Sequence, residues 1–104
     1  MSKPTQTTEV LKGIIEPFDT LDHTILVAGL CYVIGQYNNK LHVYQELQSV
    51  LADTPGNRKR LETKRSLLVS SRACIANQIN MYKKQRKLPA ALCNIIFTTL
   101  EDIR

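Results

Sequence analysis

Tryptophan is absent from this sequence and aromatic residues are scarce, since the 104-residue chain has two Phe and four Tyr. Glycine and proline each occur only four times. A sheet protein would need more aromatic and β-branched runs, with more turn residues between them. The composition therefore predicts an all-α fold. At this length, we expect a single domain spanning residues 1–104.

Long hydrophobic runs and a signal peptide are also missing. The most apolar stretch, residues 25–34, is ten residues long, whereas a membrane-spanning helix needs about 20. The first residues have no apolar segment after a basic start. We expect no membrane insertion, and we expect residues 25–34 to form a deeply buried part of a helix.

The cysteines suggest neither a disulfide framework nor a metal site. The chain has an odd number of cysteines, and they are far apart with no Cys-x-x-Cys pair: Cys31, Cys74 and Cys93. This pattern favours a reducing compartment, so we expect a cytoplasmic protein. Each cysteine lies in an apolar stretch, which predicts that all three are buried. His23 and His42 are not spaced with them as zinc ligands, and no metal or other cofactor is expected.

Catalytic motifs are missing as well. The chain has no nucleophile motif, no glycine-rich phosphate loop and no evident pair of carboxylates for acid–base chemistry. We therefore expect that the protein is not an enzyme and that it works by binding another molecule.

Proline residues divide the chain into four segments. Pro4, Pro17 and Pro89 stand near expected helix starts, and Pro55-Gly56 marks the one clear turn. Apolar residues recur at helical spacing within each segment. Two long helices joined by a tight turn predict a long antiparallel hairpin with short flanking helices. The predicted helices span approximately residues 5–15, 20–52, 58–87 and 89–103.

The charge of the chain is concentrated in one segment. Residues 58–87 contain ten Lys and Arg against one acid, Glu62, whereas the rest of the chain has four basic and eight acidic residues. The net charge of +5 therefore hides a segment of +9 and a remainder of −4. Such asymmetry favours a polyanionic partner.

The helix predicted at 58–87 has two apolar rows at 100° per residue. One is expected to be the core seam, and the second, Leu67, Cys74 and Met81, repeats every seven residues. A single packing partner within the chain covers only one of these rows. We therefore expect the second row to contact another copy of the protein in a homodimeric bundle. The core seam consists of Leu61, Leu68, Ile75, Ile79 and Tyr82.

A basic row lies beside the core seam of this helix. Arg58, Arg65, Arg72 and Lys83 are 7, 7 and 11 residues apart, and the row is about 37 Å long at about 1.5 Å per residue. A rigid basic rod suits double-stranded RNA, which is recognised through its shape, phosphates and 2′-hydroxyls. The segment lacks the aromatic platform on which single-strand binders stack bases.

Three other interpretations remain. The basic face could be a solvated surface whose last residues complement the helix dipole. The protein could be a non-enzymatic helical adaptor or assembly module whose basic face binds an acidic protein. A membrane-surface role would favour Trp or Phe beside the cations, but residues 58–87 offer only Tyr82.

The turn and helix entry Asp53-Thr54-Pro55-Gly56-Asn57-Arg58-Lys59-Arg60 resembles the Asp-x-Pro-x-Asn-x-x-Arg segment of the small RNA-silencing suppressors of insect nodaviruses. That resemblance implies a homodimeric four-helix bundle that binds double-stranded RNA without reading sequence. It further implies that RNA is shielded from host Dicer and that small interfering RNA is kept from the silencing complex. It allows for contact with the host silencing machinery, in the host-cell cytoplasm.

Arg60 matches the RNA-contacting Arg of that motif. The family member compared has Cys, Lys and Arg at positions where this chain has Leu68, Ser71 and Gln78, so two polar positions have lost their charge. Neighbouring cations would have to compensate. The candidate RNA-binding residues are Arg58, Lys59, Arg60, Lys64, Arg65, Ser71, Arg72, Gln78 and Lys83.

Overall fold

The computed structural model describes residues 21–104, so the helix predicted at 5–15 lies outside the described residues. The described part contains three helices and no strand: α1 (Leu21–Val50), α2 (Pro55–Lys84) and α3 (Ala90–Thr98). The predicted all-α fold class is confirmed. Within this range, no helix is sufficiently long and apolar to cross a membrane.

α2 begins at Pro55, three residues before the predicted start, because Thr54 caps it. The Oγ1 atom of Thr54 accepts a hydrogen bond from the N–H of Asn57 at 3.2 Å. Proline suits the first helical position, where its missing N–H would have had no intrahelical partner. α1 ends at Val50, two residues before the predicted end, so residues 51–54 form the link.

α2 ends at Lys84 rather than at residue 87, with Gln85 as its C-cap. Arg86 follows with φ of 58°, in the left-handed region that usually holds glycine at this position. The N–H of Lys87 then donates to the carbonyl of Tyr82 at 2.9 Å. This hydrogen bond closes the last turn and sends the chain away from the helix axis.

α3 is shorter than the helix predicted at 89–103. It begins at Ala90 and ends at Thr98, and its last turn is closed by an N–H···O bond from Thr99 to Ile96 at 3.0 Å. Residues 99–104, here called the C-terminal tail, contain no helix and lie against α1 and α2.

Among the described residues, α1 supplies seven of the buried core positions, whereas α2 and α3 supply three each. The predicted core seam of α2 is confirmed, since Leu68, Ile75 and Ile79 are buried and Leu61 and Tyr82 pack against them. The core consists of Val27, Leu30, Cys31, Ile34, Tyr37, Leu41, Tyr44, Leu68, Ile75, Ile79, Leu88, Leu92, Cys93, Ile96 and Leu100.

Two burial predictions are wrong. Residues 25–34 are not buried on all sides, because Ile25 is 60% exposed and Tyr32 is 64% exposed. The other described elements cover only one face of α1, and these two side chains lie on the face opposite the core. Cys74 is exposed, unlike Cys31 and Cys93, because it lies on the second apolar row rather than on the core seam.

α1 and α2 lie side by side with opposite chain directions. Residues 36–47 of α1 line a groove together with residues 64–71 of α2. Near the start of α1, Asp22 and Ile25 line another hollow with Arg86 and Lys87, which follow α2. The beginning of one helix therefore lies next to the end of the other.

Four side chains from the described helices α1 and α2 hold the C-terminal tail in place. The Tyr37 hydroxyl donates to the Glu101 carbonyl at 2.9 Å, and Nε2 of His42 lies 2.8 Å from Oε1 of Glu101. The Asn38 amide accepts from the Glu101 N–H at 3.1 Å and donates to the Thr99 carbonyl at 2.9 Å. Arg72 supplies the fourth anchor, which bears directly on the basic face.

Candidate nucleic-acid interface

Eight of the nine predicted contact residues lie on two different flanks of α2, on either side of the core seam. One flank carries Arg58, Arg65, Arg72 and Lys83, here called the tethered row. The other carries Arg60, Lys64, Ser71 and Gln78 at intervals of 4, 7 and 7 residues, here called the open row. Every candidate residue is exposed except Arg72, which is half-buried.

Arg72 is committed to the protein's own C-terminal tail. Its Nη2 atom lies 2.6 Å from Oδ1 of Asp102, and its Nε donates to the Glu101 carbonyl at 3.0 Å. The guanidinium carbon also lies 5.7 Å from the centroid of the Phe97 ring. These contacts assign Arg72 a structural role, which its position on a helical wheel did not reveal.

Two other members of the tethered row have partners as well. The Nε atom of Arg58 lies 2.6 Å from Oδ1 of Asp53, in a pair that is mostly exposed and therefore contributes little stability. The Nζ atom of Lys83 donates to Oδ1 of Asn94 at 3.1 Å. Arg65 alone in this row has no hydrogen bond or ion pair with another described residue.

The cations of the open row are not engaged within the described part of the protein. Arg60 and Lys64 make neither a hydrogen bond nor an ion pair with any described residue, and Ser71 is exposed. Gln78 donates from Nε2 to the Tyr82 hydroxyl at 2.8 Å, which leaves its carbonyl oxygen as an acceptor. This row therefore presents two available positive charges and two neutral polar groups along one line.

Lys59 adds a third available charge at the turn end of α2. Lys59, Arg60 and Lys64 line a shallow hollow with Gly56 and Leu67. Like-charged side chains that share a hollow gain from an anion placed between them, since the anion relieves their mutual repulsion.

Lys40 of α1 extends the positive potential across the groove. It lines the groove between α1 and α2 together with Lys64 and Ser71. Apolar side chains, among them Val43 and Leu67, line the same groove. The sequence interpretation did not include Lys40, because its proximity to α2 depends on how the helices pack.

An exposed apolar row on α1 was also missed. Ile25, Tyr32, Val43 and Val50 are between 57% and 70% exposed, and their spacings of 7, 11 and 7 residues keep them on one side of the helix. On α2, Leu67 is 64% exposed and Met81 is 49% exposed, along the row predicted to meet a second copy. The heptad spacing on α1 was the available signal.

Titratable groups in the core have shifted pKa values. Burial raises the pKa of the Cys31 and Cys93 thiols above their ordinary value of 9.0, so both are protonated at neutral pH. Burial is also the main cause of the raised pKa of Tyr37. No group of three or more His, Cys, Asp or Glu side chains in residues 21–104 is arranged to hold a metal ion.

No protein-family model, curated protein or solved structure was found to match this chain.

Proposed function

We propose that this protein binds double-stranded RNA without reading its sequence, mainly through the open row of α2. The observation that carries the proposal is the charge of residues 58–87, ten basic residues against one acid. Eight of the ten lie on α2, whose Arg60 and Lys64 lack partners in the described part of the chain. Phosphates recur regularly along a duplex, so a rigid helix can contact several of them without base readout.

Ser71 and Gln78 support RNA over DNA as the ligand. Neutral donors and acceptors suit the 2′-hydroxyls that line the wide minor groove of an A-form duplex. Single-stranded binding is less well supported, because it depends on exposed aromatic faces next to the cations. Tyr82, the one aromatic residue of α2, is half-buried and accepts the hydrogen bond from Gln78.

We propose a homodimer as the working form. The apolar rows of α1 and α2 are too exposed to be typical of a monomer's surface, and a two-fold dimer buries the same patch on both copies. Ser71 lies one helical turn from Leu67, so the open row borders the apolar row of α2. Pairing through that row brings two open rows together along one seam.

The proposed biological role is suppression of host RNA silencing in the host-cell cytoplasm. It rests on the resemblance of residues 53–60 to the nodaviral suppressors. A protein coating the duplex would shield long RNA from Dicer and sequester small interfering RNA, and both effects require only tight, sequence-independent binding.

Gel-shift titrations at physiological salt test the binding proposal. The probes are an RNA duplex, the same sequence as single-stranded RNA, and the matching DNA duplex. We expect tight binding to the RNA duplex, unaffected by scrambling its sequence, with much weaker binding to the other two. Equal binding to all three, or none, would overturn the proposal, and sedimentation of the free protein tests the dimer separately.

The second candidate function is a helical adaptor that binds an acidic protein. It is favoured by the two carboxylates, Asp53 and Asp102, that already pair with arginines of the basic face. Competition separates the two candidates. Excess RNA duplex should displace a labelled duplex at much lower concentration than poly-glutamate does if RNA is the ligand.

A further inference from the structure

The chain segment between α2 and α3 carries a second set of cations. Lys84, Arg86 and Lys87 are all exposed, and none of them forms an ion pair with a described residue. Lys83 and Lys84 lie in the last turn of α2, where a positive charge complements the helix dipole. Arg86 and Lys87 lie one and two residues beyond the C-cap Gln85, where the dipole favours a positive charge less strongly than in the last turn.

The backbone conformation at Arg86 is a second unusual feature of this segment. Its φ of 58° lies in the left-handed region, where a side chain is strained and glycine is the usual residue after a helix. Arginine at this position is less favourable for local stability than glycine, but it adds a charged side chain. A strained residue of this kind, fixed by the N–H···O bond from Lys87 to Tyr82, is commonly found where a ligand is bound.

Arg86 and Lys87 also open onto the same side of the hairpin as the open row. They line a hollow with Asp22, Ile25 and Leu26. Eighteen residues further along α1, Lys40, Val43 and Tyr44 line the groove shared with Lys64 and Ser71. Eighteen residues make five helical turns, so the two sets lie at the same angle around α1.

We propose that Arg86 and Lys87 form a second phosphate-binding site, which contacts the backbone of the same duplex as the open row. This inference rests on the proposed RNA binding. From Arg60 to the end of α2 at Lys84 is about 36 Å, at about 1.5 Å per residue. Proteins that bridge successive minor grooves of duplex RNA cover a comparable length, about 16 base pairs.

The variant Arg86→Gly tests this site without endangering the fold. Glycine removes the charge and relieves the backbone strain, so a melting curve should show a variant at least as stable as the wild type. Lys87→Gln is added to give the double variant. Arg104→Gln is the matched control, because Arg104 is exposed and makes no described ion pair.

Affinity for an RNA duplex is measured as a function of salt concentration. Each lost phosphate contact should reduce the slope of log K against log salt by about 1. We expect a reduction of about 2 for R86G/K87Q, with weaker binding, and no change for R104Q. Unchanged slope and affinity in the double variant would overturn this site alone, whereas failure of the wild type to bind any duplex would overturn the proposed function and this site with it.

Discussion

Within residues 21–104, three of the four cations on the tethered row of α2 have a partner, whereas neither cation on the open row has one. Arg72 holds the tail, Arg58 pairs with Asp53, and Lys83 contacts Asn94. Both rows follow helical repeats in the sequence, but most of the charge of the tethered row is engaged and only Arg65 in it is available, whereas both cations of the open row are available to a ligand. The number of cations along a helix therefore overstates its capacity for phosphate when carboxylates from other elements fold onto it.

The comparison is tested most directly by reversing two charges on each row. Arg60→Glu with Lys64→Glu should weaken RNA-duplex binding by at least about 100-fold, because each change removes a charge-assisted hydrogen bond of about 1.5–3 kcal/mol. Arg58→Glu with Arg65→Glu alters the net charge equally and should weaken binding by less than about tenfold. Gel-shift titration measures both, and equal losses would contradict the distinction between the rows.

For the free energy of unfolding, we expect the larger effect from a residue of the tethered row that has partners, Arg72, and a smaller effect from one that has none, Arg65. Arg72→Met keeps much of the side-chain packing but removes the hydrogen bond to Glu101 and the contact with Phe97, and should lower the free energy of unfolding by about 2 kcal/mol. Arg65→Met, which removes an exposed side chain, should change it by no more than about 0.5 kcal/mol. Urea titration followed by circular dichroism gives both values. Equal stabilities would show that the Arg72 contacts contribute nothing to folding.

The smallest expected effect concerns alkaline pH. The pKa of Tyr37 in the folded protein is raised above its ordinary value of 10.0. The contribution of Tyr37 to the free energy of unfolding is therefore complete below about pH 10 and is lost as pH rises through the raised pKa. Tyr37→Phe should cost about 1 kcal/mol at neutral pH through the lost hydrogen bond to Glu101.

The Phe variant should also show a shallower loss of stability as pH rises above about 10. Cys31 and Cys93, whose pKa values are raised as well, should leave some alkaline loss in both proteins. Thermal melts across this range provide the measurement. Parallel curves for the wild type and the variant would contradict the raised pKa of Tyr37.

Much of the helical architecture could be predicted from local signals. The α2 core seam followed from apolar spacing, and the helix ends were within three residues for α2. The start was placed late because Thr54-Pro55 was interpreted as part of the turn, although threonine before proline is also a helix-start signal. The end was placed late because nothing in the residue type of Arg86 indicates a positive φ.

The candidate site was less predictable, for a physical reason. The roles of Arg72 and Tyr37 depend on Glu101, which lies 29 and 64 residues away in the chain. Periodicity reports the side of a helix on which a residue lies, but not which distant segment folds onto that side. For the same reason, Lys40 could be added to the groove only after the packing of α1 against α2 was known.

The anchoring of the tail on α1 also bears on how the protein is made. Tyr37 emerges from the ribosome 64 residues ahead of Glu101, a delay of about 3–13 s at about 5–20 residues per second. During that time the apolar face of α1 cannot acquire its complete cover, since Leu92, Ile96 and Leu100 have not yet been synthesised or have only just emerged. The interval between the emergence of α1 and that of the tail is thus when a chaperone, or a second nascent chain, has the greatest access to α1.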